Sequence, residues 1–173
     1  MLRGGEAALD PWDSPHARRW PERDPQLPER LWAVKRVIVD TGPLVAFMDR
    51  GEPYHAWSVA QLEQVQGSLL SCEAVIAETD YIIRSRGGDP AGLYERVADG
   101  TIDVSFSLAT EVRSVARLLQ RFADQKMQLA DACVVRLSEL HQDCVVLTTD
   151  SRDFLVYRRF ERQRIPFLAP QLA

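Results

Sequence analysis

From Lys35 onward, short runs rich in β-branched residues alternate with longer stretches of helical periodicity. The β-branched runs predict strands near 36–40, 69–72, 102–106, 144–148 and 165–168. The helical stretches predict helices near 43–49, 54–66, 73–85, 90–98, 109–123, 129–141 and 151–157. Such alternation is typical of an α/β fold in which a central parallel sheet of about five strands carries helices on both faces.

The chain has 173 residues, which is about one domain's worth. Half of the ten prolines fall within the first 30 residues, together with many charges and few β-branched residues. This composition cannot bury enough apolar surface to fold alone. We therefore expect a flexible leader at 1–35, or a stretch added by a mis-assigned start site, followed by one domain at 36–173.

Bulk properties exclude several classes of protein. No apolar run approaches the roughly 18 to 20 residues of a membrane span, and the N-terminus lacks the apolar core of a signal peptide, so we expect a soluble cytoplasmic protein with no membrane partner. The formal net charge of -4 argues against broad, non-specific DNA binding. The three cysteines have no CxxC spacing, which favours buried free thiols, and the three scattered histidines give no histidine-based metal site.

Two aspartates lie at the carboxyl ends of predicted strands. Asp40 ends the run VIVD, and Asp150 ends CVVLTTD. In an open α/β sheet the ligand site lies beyond the carboxyl ends of the central strands. The simpler alternative for each aspartate is a helix N-cap, because its side chain satisfies free backbone amides.

Two further acids lie on predicted helices. Glu78 is about 40° from Ile82 on the helix EAVIAETDYIIRSR, on the shoulder of the inward stripe, with a surface glutamate as the alternative. Asp131 lies in LADACVVRLSEL, a helix that is apolar nearly all round. An acid in the first turn, favoured by the helix dipole, is the alternative for Asp131.

If these four acids converge at one sheet edge, their repulsion requires a cation. Two carboxylates about 5 Å apart repel by roughly 3 kcal/mol at an effective dielectric near 20. Oxygen ligands without histidine or thiolate favour Mg²⁺ or Mn²⁺, which also bind phosphate oxygens. The pattern therefore predicts a metal at the end of the first strand.

Four segments, taken in order, resemble the PIN domain, and most closely the VapC-like ribonuclease toxins of toxin-antitoxin pairs. They are VDTGPLVAFMDRGEPYHAW, LLSCEAVIAE, FADQKMQLADACVVRLSEL and VVLTTDSRDF. The resemblance covers about residues 36 to 170. It implies a three-layer α/β/α sandwich, an acidic pocket for one or two Mg²⁺ or Mn²⁺ ions, and metal-dependent hydrolysis of RNA phosphodiester bonds.

The resemblance also implies roles for individual residues. It gives the catalytic and metal-binding acids as Asp40, Glu78, Asp131 and Asp150, with Asp153 as a further acid. Thr149 and Thr41 are expected to supply hydroxyls that support the pocket. The family often has a small hydroxyl residue two places after the first aspartate, where this chain has Gly42.

An arginine-rich stretch near the C-terminus, RDFLVYRRFERQR, is the candidate contact for RNA or a partner. In it, Arg152, Arg158, Arg159 and Arg162 are expected to hold phosphates while Tyr157 or Phe160 stacks on a base. The alternative is a solvated surface. The resemblance further implies a homodimer and a cognate antitoxin. A free-standing RNA-processing PIN nuclease and a non-catalytic PIN-shaped binding module remain alternative readings of the sequence.

Overall fold

The computed structural model describes residues 36–170. Residues 1–35 and 171–173 lie outside the described residues, so the predicted leader is not tested. The helices are α1 (Thr41–Met48), α2 (His55–Leu62), α3 (Glu73–Ser85), α4 (Ala91–Ala98), α5 (Leu108–Arg121), α6 (Leu129–Leu140) and α7 (Ser151–Val156). The strands are β1 (Arg36–Val39), β2 (Leu69–Leu70), β3 (Ile102–Asp103), β4 (Cys144–Leu147), β5 (Arg158–Arg159), β6 (Gln163–Arg164) and β7 (Phe167–Leu168).

Five strands form one parallel sheet in the order β3-β2-β1-β4-β7. The predicted α/β fold, with a central parallel sheet and flanking helices, is therefore confirmed. The chain runs from β1 outward to β2 and β3, and then returns to place β4 and β7 on the other side of β1. The strand order thus reverses between β1 and β4, and such a switch point is where open α/β sheets place their ligand sites.

The two central strands are buried, which explains their continuous apolar sequence. Val37, Ile38 and Val39 of β1 are at most 6% exposed, and all four residues of β4 are buried. In the register of these strands, Val39 pairs with Leu147. The residues that follow the two strands therefore emerge side by side at the carboxyl edge of the sheet.

A small antiparallel hairpin, formed by β5 and β6, was not predicted from the sequence. Its turn contains Phe160 and Glu161, both with positive φ, at 46° and 65°. Hairpin turns of this kind usually carry glycine or asparagine, because other residues pay a steric cost for positive φ. Without that signal, the segment 158–164 gave no sequence indication of a hairpin.

Within residues 36–170, no helix combines the length and the apolar character that crossing a membrane would require.

All three cysteines are buried with free thiols, as predicted.

Candidate metal-binding active site

Asp40 occupies the carboxyl end of β1 and caps the N-terminus of α1. Its Oδ1 accepts the backbone amide of Thr41 at 2.8 Å, and its Oδ2 accepts the hydroxyl of Thr148 at 2.7 Å. Burial, together with repulsion from Asp131 and Glu78, raises the pKa of Asp40 to about 7, although both hydrogen bonds act in the opposite direction. Asp40 therefore caps α1 and also belongs to a cluster of acidic side chains.

Glu78 reaches the same edge from α3. It is half-buried, and its Oε2 accepts the hydroxyl of Thr41 at 2.6 Å. Thr41 thus donates its amide to Asp40 and its hydroxyl to Glu78. This finding places Thr41 in direct contact with two of the predicted acids.

Asp131 lies in the first turn of α6 and is also half-buried. Its Oδ2 accepts the amide of Gln128 at 2.9 Å, which is one half of a capping box, and the hydroxyl of Tyr157 at 3.4 Å. Burial is the main cause of the raised pKa of Asp131, and the charges of Asp153 and Glu78 add to it.

The acids lie close enough to affect one another's protonation. Asp40 is repelled by Asp131 and Glu78, and Asp131 is repelled by Asp153 and Glu78. Nevertheless, no three acidic, histidine or cysteine side chains among residues 36–170 already form an arrangement that would hold a metal ion. Because Mg²⁺ typically keeps several waters and takes one or two carboxylates plus substrate phosphates, this donor set fits such an ion chemically.

Asp150 plays a capping role in the structure. It is exposed, and its Oδ1 accepts the amide of Asp153 at 3.1 Å, at the start of α7. Its own amide donates to Thr148 Oγ1 at 2.9 Å, which connects it to the residue that holds Asp40. Only one of its carboxylate oxygens is used by the cap, so capping does not prevent metal binding.

Gly42 and Thr149 fit together closely beside the acids. A Cβ placed on Gly42 would lie 1.9 Å from Thr149 Oγ1. The hydroxyl of Thr149 therefore occupies the space that any side chain at position 42 would need. This explains why the chain has glycine where the resemblance leads one to expect a small hydroxyl residue.

Sequence reasoning missed one residue of the site and gave another a different role. Thr148 was passed over in favour of Thr149, yet it is Thr148 whose hydroxyl bonds Asp40. Tyr157 was expected to stack on a base, but it is fully buried, and its hydroxyl lies 3.1 Å from Asp153 Oδ2 and 3.4 Å from Asp131 Oδ2. No pattern in the sequence distinguishes Thr148 from Thr149, because the register of β4 against β1 decides which hydroxyl meets Asp40.

The four predicted arginine contacts differ in their exposure. Arg159 is 5% exposed, and its Nη1 donates to the carbonyls of Ser138 and Gln142 near the C-terminal end of α6, so in this structure it is not available to RNA. Arg158 is half-buried and donates to three carbonyls at the end of α7. Arg152 and Arg162 are exposed.

Known proteins resemble this chain in both sequence and fold. It is 32% identical over 124 residues to ribonuclease VapC26 of Mycobacterium tuberculosis, a match that covers 70% of this chain and 92% of that protein. The crystal structure of VapC20 from the same organism, described as a toxin that cleaves the sarcin-ricin loop, matches with a TM-score of 0.59 at 16% identity, over 67% of this chain and 91% of that one. No protein-family model matches the sequence. The identity and coverage of the VapC26 match show that the chain belongs to the VapC-like family of PIN-domain ribonuclease toxins.

Proposed function

We propose that this protein is an endoribonuclease toxin that hydrolyses RNA phosphodiester bonds with Mg²⁺ or Mn²⁺. The observation that carries the proposal is the environment of Asp40, a buried carboxylate at the sheet's switch point. Its two hydrogen-bond partners, Thr41 and Thr148, are uncharged, and the charges that act on it, from Asp131 and Glu78, are also negative. Such a carboxylate is neutralised either by a proton, as its raised pKa indicates, or by a bound cation, and the proposal assigns the cation.

The residues that would hold the metal are the acids that share this edge. Asp40, Asp131 and Glu78 form the group that interacts electrostatically. Asp153 joins it beside Asp131, and Asp150 would contribute the carboxylate oxygen that is not used in capping α7. A bound Mg²⁺ or Mn²⁺ would neutralise phosphate charge and lower the pKa of a coordinated water.

The chain's own residues orient these acids. Thr148 fixes Asp40, Thr41 fixes Glu78, and Tyr157 lies between Asp131 and Asp153. With Oε2 held by Thr41, Glu78 is the residue we assign to orienting the attacking water and accepting its proton.

Metal titration with a matched acid pair tests the proposal. Mg²⁺ or Mn²⁺ is expected to raise the melting temperature of the parent protein and to enable RNA cleavage, and EDTA is expected to reverse both effects. Asp40→Asn should lose both responses. The control is Glu63→Gln, which changes an exposed acid at the end of α2. Equal RNA cleavage by the parent protein in EDTA would rule out metal dependence.

The proposal includes a homodimer and a cognate antitoxin in the cytoplasm. An arginine from such a partner would neutralise the acidic cluster in place of metal. Co-expression with a small protein from the neighbouring reading frame provides the test. A toxin is expected to co-purify with that protein and to lose RNA cleavage in the complex. Full cleavage in the presence of the neighbour would favour a free-standing RNA-processing nuclease.

A further inference from the structure

Tyr81 on α3 is the most exposed of the large apolar side chains among residues 36–170, at 72%. Single exposed hydrophobic residues are common on protein surfaces, so exposure alone assigns no role. The position of Tyr81 relative to the acidic site is what sets it apart.

Tyr81 lies three residues after Glu78 on the same helix, and residues at this spacing share a face. Helical side chains lean toward the N-terminus of their helix, so the ring of Tyr81 covers surface over the turn that carries Glu78. Because Glu78 accepts the hydroxyl of Thr41 at the acidic site, Tyr81 lies about one helical turn from a side chain of this site.

Small residues lie on the N-terminal side of Tyr81 along this face. Ala77 is four residues before Tyr81 and is exposed, and Ala74 is four residues before Glu78 and is half-buried. Neither residue has a side chain large enough to cover the helix surface. Ala74 packs against the core, whereas the exposed methyl group of Ala77 leaves room beside Tyr81 for a flat group.

A cation follows Tyr81 along the helix. Arg84 lies three residues beyond it, with 61% of its side chain exposed. Its Nε donates to both oxygens of Asp80 at 3.0 Å, and Asp80 also accepts the hydroxyl of Tyr94 at 2.7 Å. Glu78, Tyr81 and Arg84 thus follow one another at steps of about 4.5 Å along the helix axis.

We infer that Tyr81 is a base-contacting residue, whose ring stacks on the nucleobase next to the phosphate that the acidic site holds. This inference rests on the proposed ribonuclease function. Unpaired bases stack on exposed aromatic rings regardless of sequence, and Arg84 provides the positive charge for the neighbouring phosphate.

The test compares Tyr81→Ala, Tyr81→Phe and Tyr81→Trp on an RNA whose cleaved bond has been mapped. Loss of the ring should lower kcat/KM by about 5- to 150-fold, the equivalent of about 1–3 kcal/mol per stacked base. Phe and Trp keep a ring and should stay near the parent value. On an RNA that lacks the base beside the cleaved bond, Tyr81→Ala should cost no further activity. The matched control is Leu155→Ala, a change at an apolar side chain that is 61% exposed on α7.

Three results would overturn the inference. They are full activity of Tyr81→Ala on intact RNA, an equal loss with Tyr81→Phe, and a change in the oligomeric mass of Tyr81→Ala, which would make Tyr81 a contact between subunits. Binding of the same RNA to Asp40→Asn, with and without Tyr81→Ala, is a second readout that needs no cleavage. If the parent protein does not cleave RNA but Tyr81→Ala still weakens RNA binding, the proposed ribonuclease function is wrong and the base contact of Tyr81 is supported.

Discussion

The hydroxyl of Thr148 lies 2.7 Å from Oδ2 of Asp40, which is 108 positions earlier in the chain. The same hydroxyl oxygen accepts the amide of Asp150 at 2.9 Å. One buried side chain therefore acts as both donor and acceptor between the ends of the two central strands. The parallel pairing of Val39 with Leu147 places these residues next to each other.

Replacing Thr148 with valine is expected to destabilise the fold. The change keeps the shape but leaves a buried oxygen of Asp40 without its partner, at a cost of about 1–3 kcal/mol, and also removes the acceptor of the partly buried amide of Asp150. Urea unfolding provides the measurement. Thr148→Ser retains the hydroxyl and should lose less stability, so equal losses in the two variants would show that the hydrogen bonds contribute little.

In metal-free buffer, the contributions of Asp40 and Asp131 to the free energy of unfolding are expected to fall as the pH rises from about 4 to above 7, whereas His141, with a pKa lowered by burial, contributes a smaller slope of opposite sign below pH 6.5. Burial raises the pKa of Asp40 from 3.8 to about 7, and the pKa of Asp131 is also raised. Between the unfolded and folded pKa values, the native state binds more protons than the unfolded state, so its stability declines with pH. The contribution of Asp40 to the free energy of unfolding is fully present below about pH 4 and is lost above about pH 7. Its upper bound is about 4 kcal/mol.

Asp40→Asn tests this pH dependence, because asparagine carries no charge. The variant should show a flatter pH profile than the parent protein in EDTA and should be the more stable of the two at pH 8. The acids with lowered pKa, Asp49 and Asp80, titrate below 3.8 and thus outside this window. Parallel profiles for parent and variant would mean that Asp40 does not titrate in this range.

Gly42→Ala is expected to destabilise the protein by about 1–3 kcal/mol, because the new methyl group would overlap the hydroxyl of Thr149. In an ordinary helix a change from glycine to alanine raises the free energy of unfolding. A decrease at this position would therefore indicate the overlap with Thr149. Adding Thr149→Ala should recover most of the loss, with a coupling energy of about 0.5–3 kcal/mol in a double-mutant cycle measured by denaturant unfolding. Additive losses would show that the two sites are independent.

Two substitutions of Asp150 separate capping from metal binding. Asp150→Ser keeps an N-cap for α7, whereas Asp150→Ala removes it and should cost about 1 kcal/mol. If the carboxylate also binds metal, RNA cleavage should fall by more than about tenfold in both variants, since a hydroxyl does not replace its charge. Full cleavage by the folded Asp150→Ser protein would leave Asp150 with the capping role alone.

Local pattern was sufficient for most of the fold. Alternating periodicity located the strands of the parallel sheet and the seven helices, because burial on one face or on both leaves a repeat in the sequence. The β5–β6 hairpin left no such repeat, since its turn uses Phe160 and Glu161 in place of glycine. For the site, the sequence indicated the acids but did not distinguish Thr148 from Thr149.

The sequence by itself determined which residues end the central strands, because each buried apolar run and the aspartate after it lie within a few positions of each other. Only the tertiary structure decided which side chains meet there. Thr148 reaches Asp40, Tyr157 turns inward to Asp131 and Asp153, and Arg159 is buried near the end of α6. These contacts depend on strand register and helix packing between distant segments, and hydrogen bonds between distant residues leave no periodic trace in the chain that forms them.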